Sequence, residues 1–145
     1  MKRPHLLRVE DGPDRFAPLI AAARALGLRV GWLDLQDSPP PAPGDLSHLG
    51  DLGTAASQGV LRAVAVGGGR TVAVKPLRGA PVLKDLLREH FQGCALVLVR
   101  GEVDAPALRS SESGEHDWEV RIGDASRSYS STTLGESLRK PHPWD

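Results

Sequence analysis

The N-terminal part of the chain sets one amphipathic helix between two short apolar runs, and this pattern restricts the fold more than any other feature. Leu6-Leu7-Arg8-Val9 reads as a strand. Phe16, Leu19, Ile20, Ala23 and Leu26 then recur at helical spacing, with Asp14 in the capping position, Pro18 in the first turn and Gly27 as the stop. Leu28 to Leu35 follows as a second strand, with Val30 and Trp32 on one face and Leu33 and Leu35 on the other. A strand, a covering helix and a strand form a βαβ unit, whose strands run parallel through a right-handed crossover.

The rest of the chain extends this theme. Residues 37–44 form a Pro-rich connector. Leu46, Leu49, Leu52, Ala55 and Ala56 mark a helix opened by Asp45. Pro81 starts another that carries Val82, Leu83, Leu86, Leu87 and Phe91 and stops at Gly93. Cys94 to Val99 is an unbroken apolar run, as in a strand buried on both faces. Trp118, Val120 and Ile122 alternate with Glu119 and Arg121, and Gly123–Ser126 turns the chain into Arg127–Ser131. Thr133 and Glu136 have capping-box spacing for a short last helix. The tail, 140–145, holds Trp144, an aromatic large enough to dock on this chain or on a partner subunit. The predicted order is β-α-β-α-β-β-α-β-β-β-α. It is an α/β fold with one domain over 1–145, a mixed β-sheet flanked by helices and an antiparallel hairpin at 62–75. A chain of 145 residues buries about two thirds of its unfolded surface, enough for one core without a staple.

The hairpin rests on Arg62–Pro76, where three glycines separate two apolar runs. A phosphate-binding loop needs its glycines between a strand and a helix N-terminus. Here they lead into Thr71-Val72-Ala73-Val74-Lys75, which is strand-like, and neither common phosphate-loop spacing occurs. The run is nearly palindromic about Gly69, pairing Val66 with Val72, Ala65 with Ala73 and Val64 with Val74. That symmetry predicts an antiparallel pair with valines on one face and alanines on the other.

Charge and composition narrow the function classes. Eighteen basic residues balance eighteen acidic ones, so no global field draws in nucleic acid or an anionic membrane. Fourteen Arg against four Lys, with two Ile and no Asn, report a GC-rich genome rather than a recognition surface. The single Cys94 excludes an internal disulfide and a multi-cysteine zinc site, and its apolar setting predicts a buried packing residue. No apolar run approaches the ~20 residues of a spanning helix, so a cytoplasmic protein is expected.

Three groups of residues could carry chemistry. Glu10, Asp11 and Asp34, with Asp14 and Asp37 near them, follow two strands expected to be parallel. Carboxylates gathered at such strand ends could hold Mg²⁺, although helix capping and loop solvation explain the same residues. Lys75, Arg70 and Arg78 could bind an anion such as phosphate or carboxylate at the sheet edge, or simply face solvent. His116 and Asp117 offer an acid–base pair in the polar stretch Glu112–Trp118, a stretch that reads equally as a solvated loop. Val9-Glu10-Asp11 and Val74-Lys75-Pro76 resemble segments of receiver domains, but two tripeptides assign no family. Two functional readings follow. The first is a non-enzymatic binding or interaction module that could form a homo-oligomer. The second is a small enzyme or ligand-binding domain for a phosphorylated or nucleotide-like molecule, with Mg²⁺ as its metal.

Overall fold

The computed structural model describes residues 3–34, 63–67, 70–75, 77, 79–111 and 117–145. The expected Pro-rich connector and the helix after it lie outside the described residues, as do Arg78 and His116. The chain divides into two compact units, 1–36 with 87–145, and 37–86.

The larger unit is built on a mixed sheet of six strands. Its N-terminal half contains β1 (His5–Val9), a 3-10 turn (Pro13–Phe16), α1 (Ala17–Ala25) and β2 (Val30–Asp34). The smaller unit holds the hairpin β3 (Ala63–Gly67) and β4 (Arg70–Val74). Helix α2 (Leu83–His90) spans the boundary between the units. β5 (Leu96–Arg100), β6 (Ala107–Ser110), β7 (Asp117–Ile122), β8 (Ala125–Ser130) and α3 (Ser131–Ser137) complete the larger unit. The strand order is β2-β5-β1-β6-β7-β8.

The α/β fold expected from the N-terminal pattern is present. β1 and β2 run parallel to one another but are not neighbours, because β5 lies between them and pairs with both along its full length. This central position explains the Leu96-Val97-Leu98-Val99 run, whose four residues are all fully buried. The strand begins at Leu96, not at Cys94. Cys94 and Ala95 belong to the turn after Gly93, whose φ is +77°, and Cys94 is half-buried with a free thiol.

β6 has no counterpart among the expected strands. It touches β1 at the single pair Arg8↔Ala107 and then pairs with β7 from Ala107 to Ser110. Arg109 and Ser110 therefore run past the last residue of β1. β7 turns into β8 through Gly123 and Asp124, with Gly123 at φ +58°.

Helices α1 and α3 cover one face of this sheet. Under them lie Leu7, Val9, Leu19, Leu96, Leu98, Leu108, Val120 and Leu134, together with the aromatic stack of Phe16 on Trp118, whose ring centroids are 5.5 Å apart. Trp32 flanks Phe16 at 6.1 Å. The buried indole N–H of Trp118 donates to Ser131 Oγ at 2.8 Å, so its polar atom is satisfied. α1 ends as expected at Gly27 (φ +74°), with Gly27 N–H donating to Arg24 O and Leu28 N–H to Ala23 O, a Schellman closure. Its start differs from expectation. Asp14 makes no cap, because a 3-10 turn supplies the entry and Phe16 takes the N-cap position.

The last helix also begins earlier than its spacing implied. Ser130 is the N-cap, its Oγ accepting from Thr133 N–H at 3.1 Å while Thr133 Oγ1 accepts from Ser130 N–H at 2.9 Å. Thr133 thus fills the third position of the box and does not open it. Ser130→Ala should lower stability by about 1 kcal/mol, read as a shifted urea midpoint with an unchanged slope. Trp144 docks in cis, edge-on to Tyr129 of β8 at 6.5 Å, with Pro143 buried beside it and Arg127 donating to Asp145 O at 3.1 Å.

In the smaller unit β3 and β4 form the expected hairpin as a separate two-stranded sheet, not as part of the six-stranded one. The register is offset by one residue from the palindrome. Val66 pairs with Thr71, Ala65 with Val72 and Val64 with Ala73. A palindrome centred on Gly69 needs an odd loop. The pairing of Gly67 with Arg70 instead leaves an even number of residues between the strands.

Candidate functional site

The carboxyl ends of the parallel strands are where ligands of open α/β sheets are usually found. Asp34 ends β2 and Val9 ends β1, and both pair with Arg100 of β5. The two acidic strand ends are thus two strand spacings apart, about 9–10 Å. The residue between them is cationic. Arg100 lies over the Trp32 ring, 5.7 Å from its centroid, and reaches toward Gly12, where an added Cβ would stand 3.9 Å from Arg100 Nη1.

The overhang of β6 occupies this same edge. Arg109 Nη2 lies 3.9 Å from Glu10 Oε1, and Arg15 Nη2 donates to Ser110 Oγ at 2.6 Å. Glu10 and Asp11 are exposed. Among the described residues, no three His, Cys, Asp or Glu side chains gather in a way that could hold a metal ion. Lys75 follows β4 and is exposed, and Arg70 opens β4 opposite Gly67. Both belong to the smaller unit, as does Arg78 by position. Asp117 opens β7 opposite Ser130.

A cavity of about 380 Å³ lies at the opposite, amino-terminal edge of the same strands. It is lined by Arg3 and His5 at the start of β1, Leu28 after α1, Gly93-Cys94-Ala95 before β5, and Leu138-Arg139 after α3. The local backbone explains how these segments meet. His5 N–H donates to Ala95 O at 2.9 Å and Ala95 N–H to Arg29 O at 2.8 Å, which fastens the entries of β1, β5 and β2 side by side. α3 packs on α1 closely enough that a Cβ on Gly135 would come within 2.7 Å of Leu26 Cδ1. This contact brings Leu138 and Arg139 over the strand entries.

The lining is electrostatically one-sided. Among the described residues it contains Arg3, His5 and Arg139 and no Asp or Glu. A third arginine stands at its border, because Gly93 lies directly under the Arg29 guanidinium and a Cβ there would collide with Arg29 Nη2. Arg139 is held in place by donating from Nη2 to Leu26 O at 2.6 Å, where it also neutralises the negative end of α1. A guanidinium carries five N–H donors, so one such bond does not exhaust it. The floor is apolar, made of Leu28, Ala95 and Leu138, with the Cys94 thiol among them.

Sequence reasoning did not single out these residues for a site. Arg3 and Arg139 lie at opposite ends of the chain, and no spacing rule joins them. The sequence drew attention to Cys94 only as a packing residue of the strand, whereas it lies in the turn between Gly93 and β5, which begins at Leu96. No protein-family model matches the chain, and no curated protein matches it significantly.

Proposed function

We propose that the chain is a binding module for a small organic anion, held in the cavity at the amino-terminal edge of β1 and β5. One observation carries the reading. In a chain whose charges balance at eighteen against eighteen, the described cavity gathers Arg3, His5 and Arg139 and no carboxylate. An anion entering there gains Coulomb attraction from several cations beside an apolar surface of low polarisability, where such attraction is stronger than in open water.

The test is a thermal-shift and calorimetric panel of phosphate, sulfate, carboxylate and sulfonate compounds. A saturable rise in melting temperature is expected for anions and none for their neutral analogues. Arg3 is exposed, so Arg3→Glu should fold normally and weaken binding by about tenfold or more, a change of ~1.4 kcal/mol. Adding EDTA should leave the affinity unchanged, which separates this site from a Mg²⁺-dependent one at Glu10, Asp11 and Asp34. The proposal fails if no anion shifts the melting temperature, or if Arg3→Glu binds as the parent does.

A further inference from the structure

We infer, resting on the anion-binding reading above, that the ligand is an anionic headgroup carried on an apolar body, such as an aryl or alkyl carboxylate, sulfonate or phosphomonoester, and not a sugar phosphate or a free inorganic ion. The backbone of the cavity decides between these classes. The N–H groups of His5, Leu28, Cys94, Ala95, Leu138 and Arg139 all donate within the protein, to Ala95 O, Ala23 O, Phe91 O, Arg29 O, Leu134 O and Glu136 O. They are therefore committed before a ligand arrives, and the two other lining residues, Arg3 and Gly93, are far apart in sequence and supply no run of successive donors. A phosphate nest built from backbone donors needs the opposite arrangement, with successive N–H groups turned toward the anion.

Recognition of the charge thus falls to side chains, with Arg3 and Arg139 supplying the cations. Below them the surface of Leu28, Ala95 and Leu138 offers no donor or acceptor side chain, and Leu28 packs against the main core. A sugar placed there would leave its hydroxyls unpaired against aliphatic carbon, a cost of about 1–3 kcal/mol for each buried group. An aromatic or aliphatic body placed there gains by burial, at ~25 cal/mol per Å². The volume of about 380 Å³ exceeds what a tetrahedral anion fills and falls within the range of small-molecule sites.

The experiment compares four probes on the intact chain by calorimetry: sodium sulfate, 2-naphthalenesulfonate, 2-naphthol and glucose 6-phosphate. Location is read independently through Cys94, the only cysteine and a lining residue. A bound probe should slow its alkylation by iodoacetamide, followed by mass spectrometry. The expected result is that 2-naphthalenesulfonate binds at least tenfold more tightly than sulfate or glucose 6-phosphate and protects Cys94 with the same concentration dependence. 2-Naphthol alone should bind at least tenfold more weakly than its sulfonate. Leu28→Ser should reduce naphthalenesulfonate affinity severalfold and leave sulfate binding unchanged, and the sulfate titration reports whether that variant retains its fold. If glucose 6-phosphate binds as tightly as the sulfonate and protects Cys94, the inference is overturned while the anion site stands. If no anionic probe binds or protects Cys94, both are overturned.

Discussion

Trp118→Ala is expected to remove about 3–5 kcal/mol of stability, the range for truncating a large buried aromatic side chain. A domain of this size has only about 5–15 kcal/mol to lose, so the variant should melt far below the parent and populate unfolded chain at moderate urea. The expectation comes from three contacts made at once. The indole is 1% exposed, it stacks on Phe16, and its N–H is paired with Ser131 Oγ. Trp118 stands on β7 opposite Ser110 of β6, the strand at which parallel pairing gives way to antiparallel, and Ser131 begins α3. Truncation therefore leaves a cavity between sheet and helix and also frees the hydroxyl beside the α3 cap. Trp118→Phe separates the terms. It keeps part of the stack and loses the hydrogen bond, so its cost should be well below that of alanine. Equal urea midpoints for the two variants would show that the ring volume contributes nothing beyond the N–H.

The parts of this fold that could be read from the sequence are those whose pattern is local. The Phe16-Leu19-Ile20-Ala23-Leu26 stripe and Gly27 predicted α1 and its closure, because helix period and a left-handed stop are both set within a few residues. The apolar run before Arg100 predicted a doubly buried strand, and β5 is the strand flanked on both sides. β6 was invisible for the converse reason. Ala107-Leu108-Arg109-Ser110 follows a proline and contains no β-branched or aromatic residue, so its extended state is imposed by β1 and β7 and not by its own propensity. The hairpin register was off by one residue because side-chain symmetry was followed where loop geometry decides. The cavity was hidden for a topological reason. Inserting β5 between β1 and β2 is what brings Cys94 and Ala95 beside His5, and only the docking of α3 on α1 adds Arg139.

The charges at the two edges of the sheet make the same point about function. Reading acidic residues after Val9 and at Asp34 suggested a gathered metal site, and the sequence contains no sign that a strand ending in Arg100 would come between them. With β5 in place, Arg100 stands between the acidic strand ends and over Trp32. At the amino-terminal edge the same insertion leaves cations without carboxylates among the described lining residues. One choice of strand order thus mixes the signs at one edge and separates them at the other.

Gly31→Val tests that strand order through packing. By propensity alone the change should help, since valine favours strands and glycine does not, with a span of about 1 kcal/mol. The structure reverses the sign. Gly31 lies on the edge strand β2 and pairs with Val97 of β5, and a Cβ at this position would fall 2.5 Å from Phe91 Cδ1, 2.8 Å from Phe91 Cε1 and 3.3 Å from Val97 Cγ2. The glycine lets the Phe91 ring approach β2 on the sheet face opposite α1 and α3. Gly31→Val should therefore cost about 1–3 kcal/mol, the usual penalty for overpacking, measured by urea denaturation. The decisive measurement is the cycle with Phe91→Ala. In that background the space is open, and Gly31→Val should become neutral or stabilising, a coupling of about 0.5–3 kcal/mol between the two positions. A valine that costs the same with and without the Phe91 ring would mean that Phe91 does not cover this face. It would also break the link between Gly93, which turns the chain after Phe91, and the cavity that Gly93 helps to line.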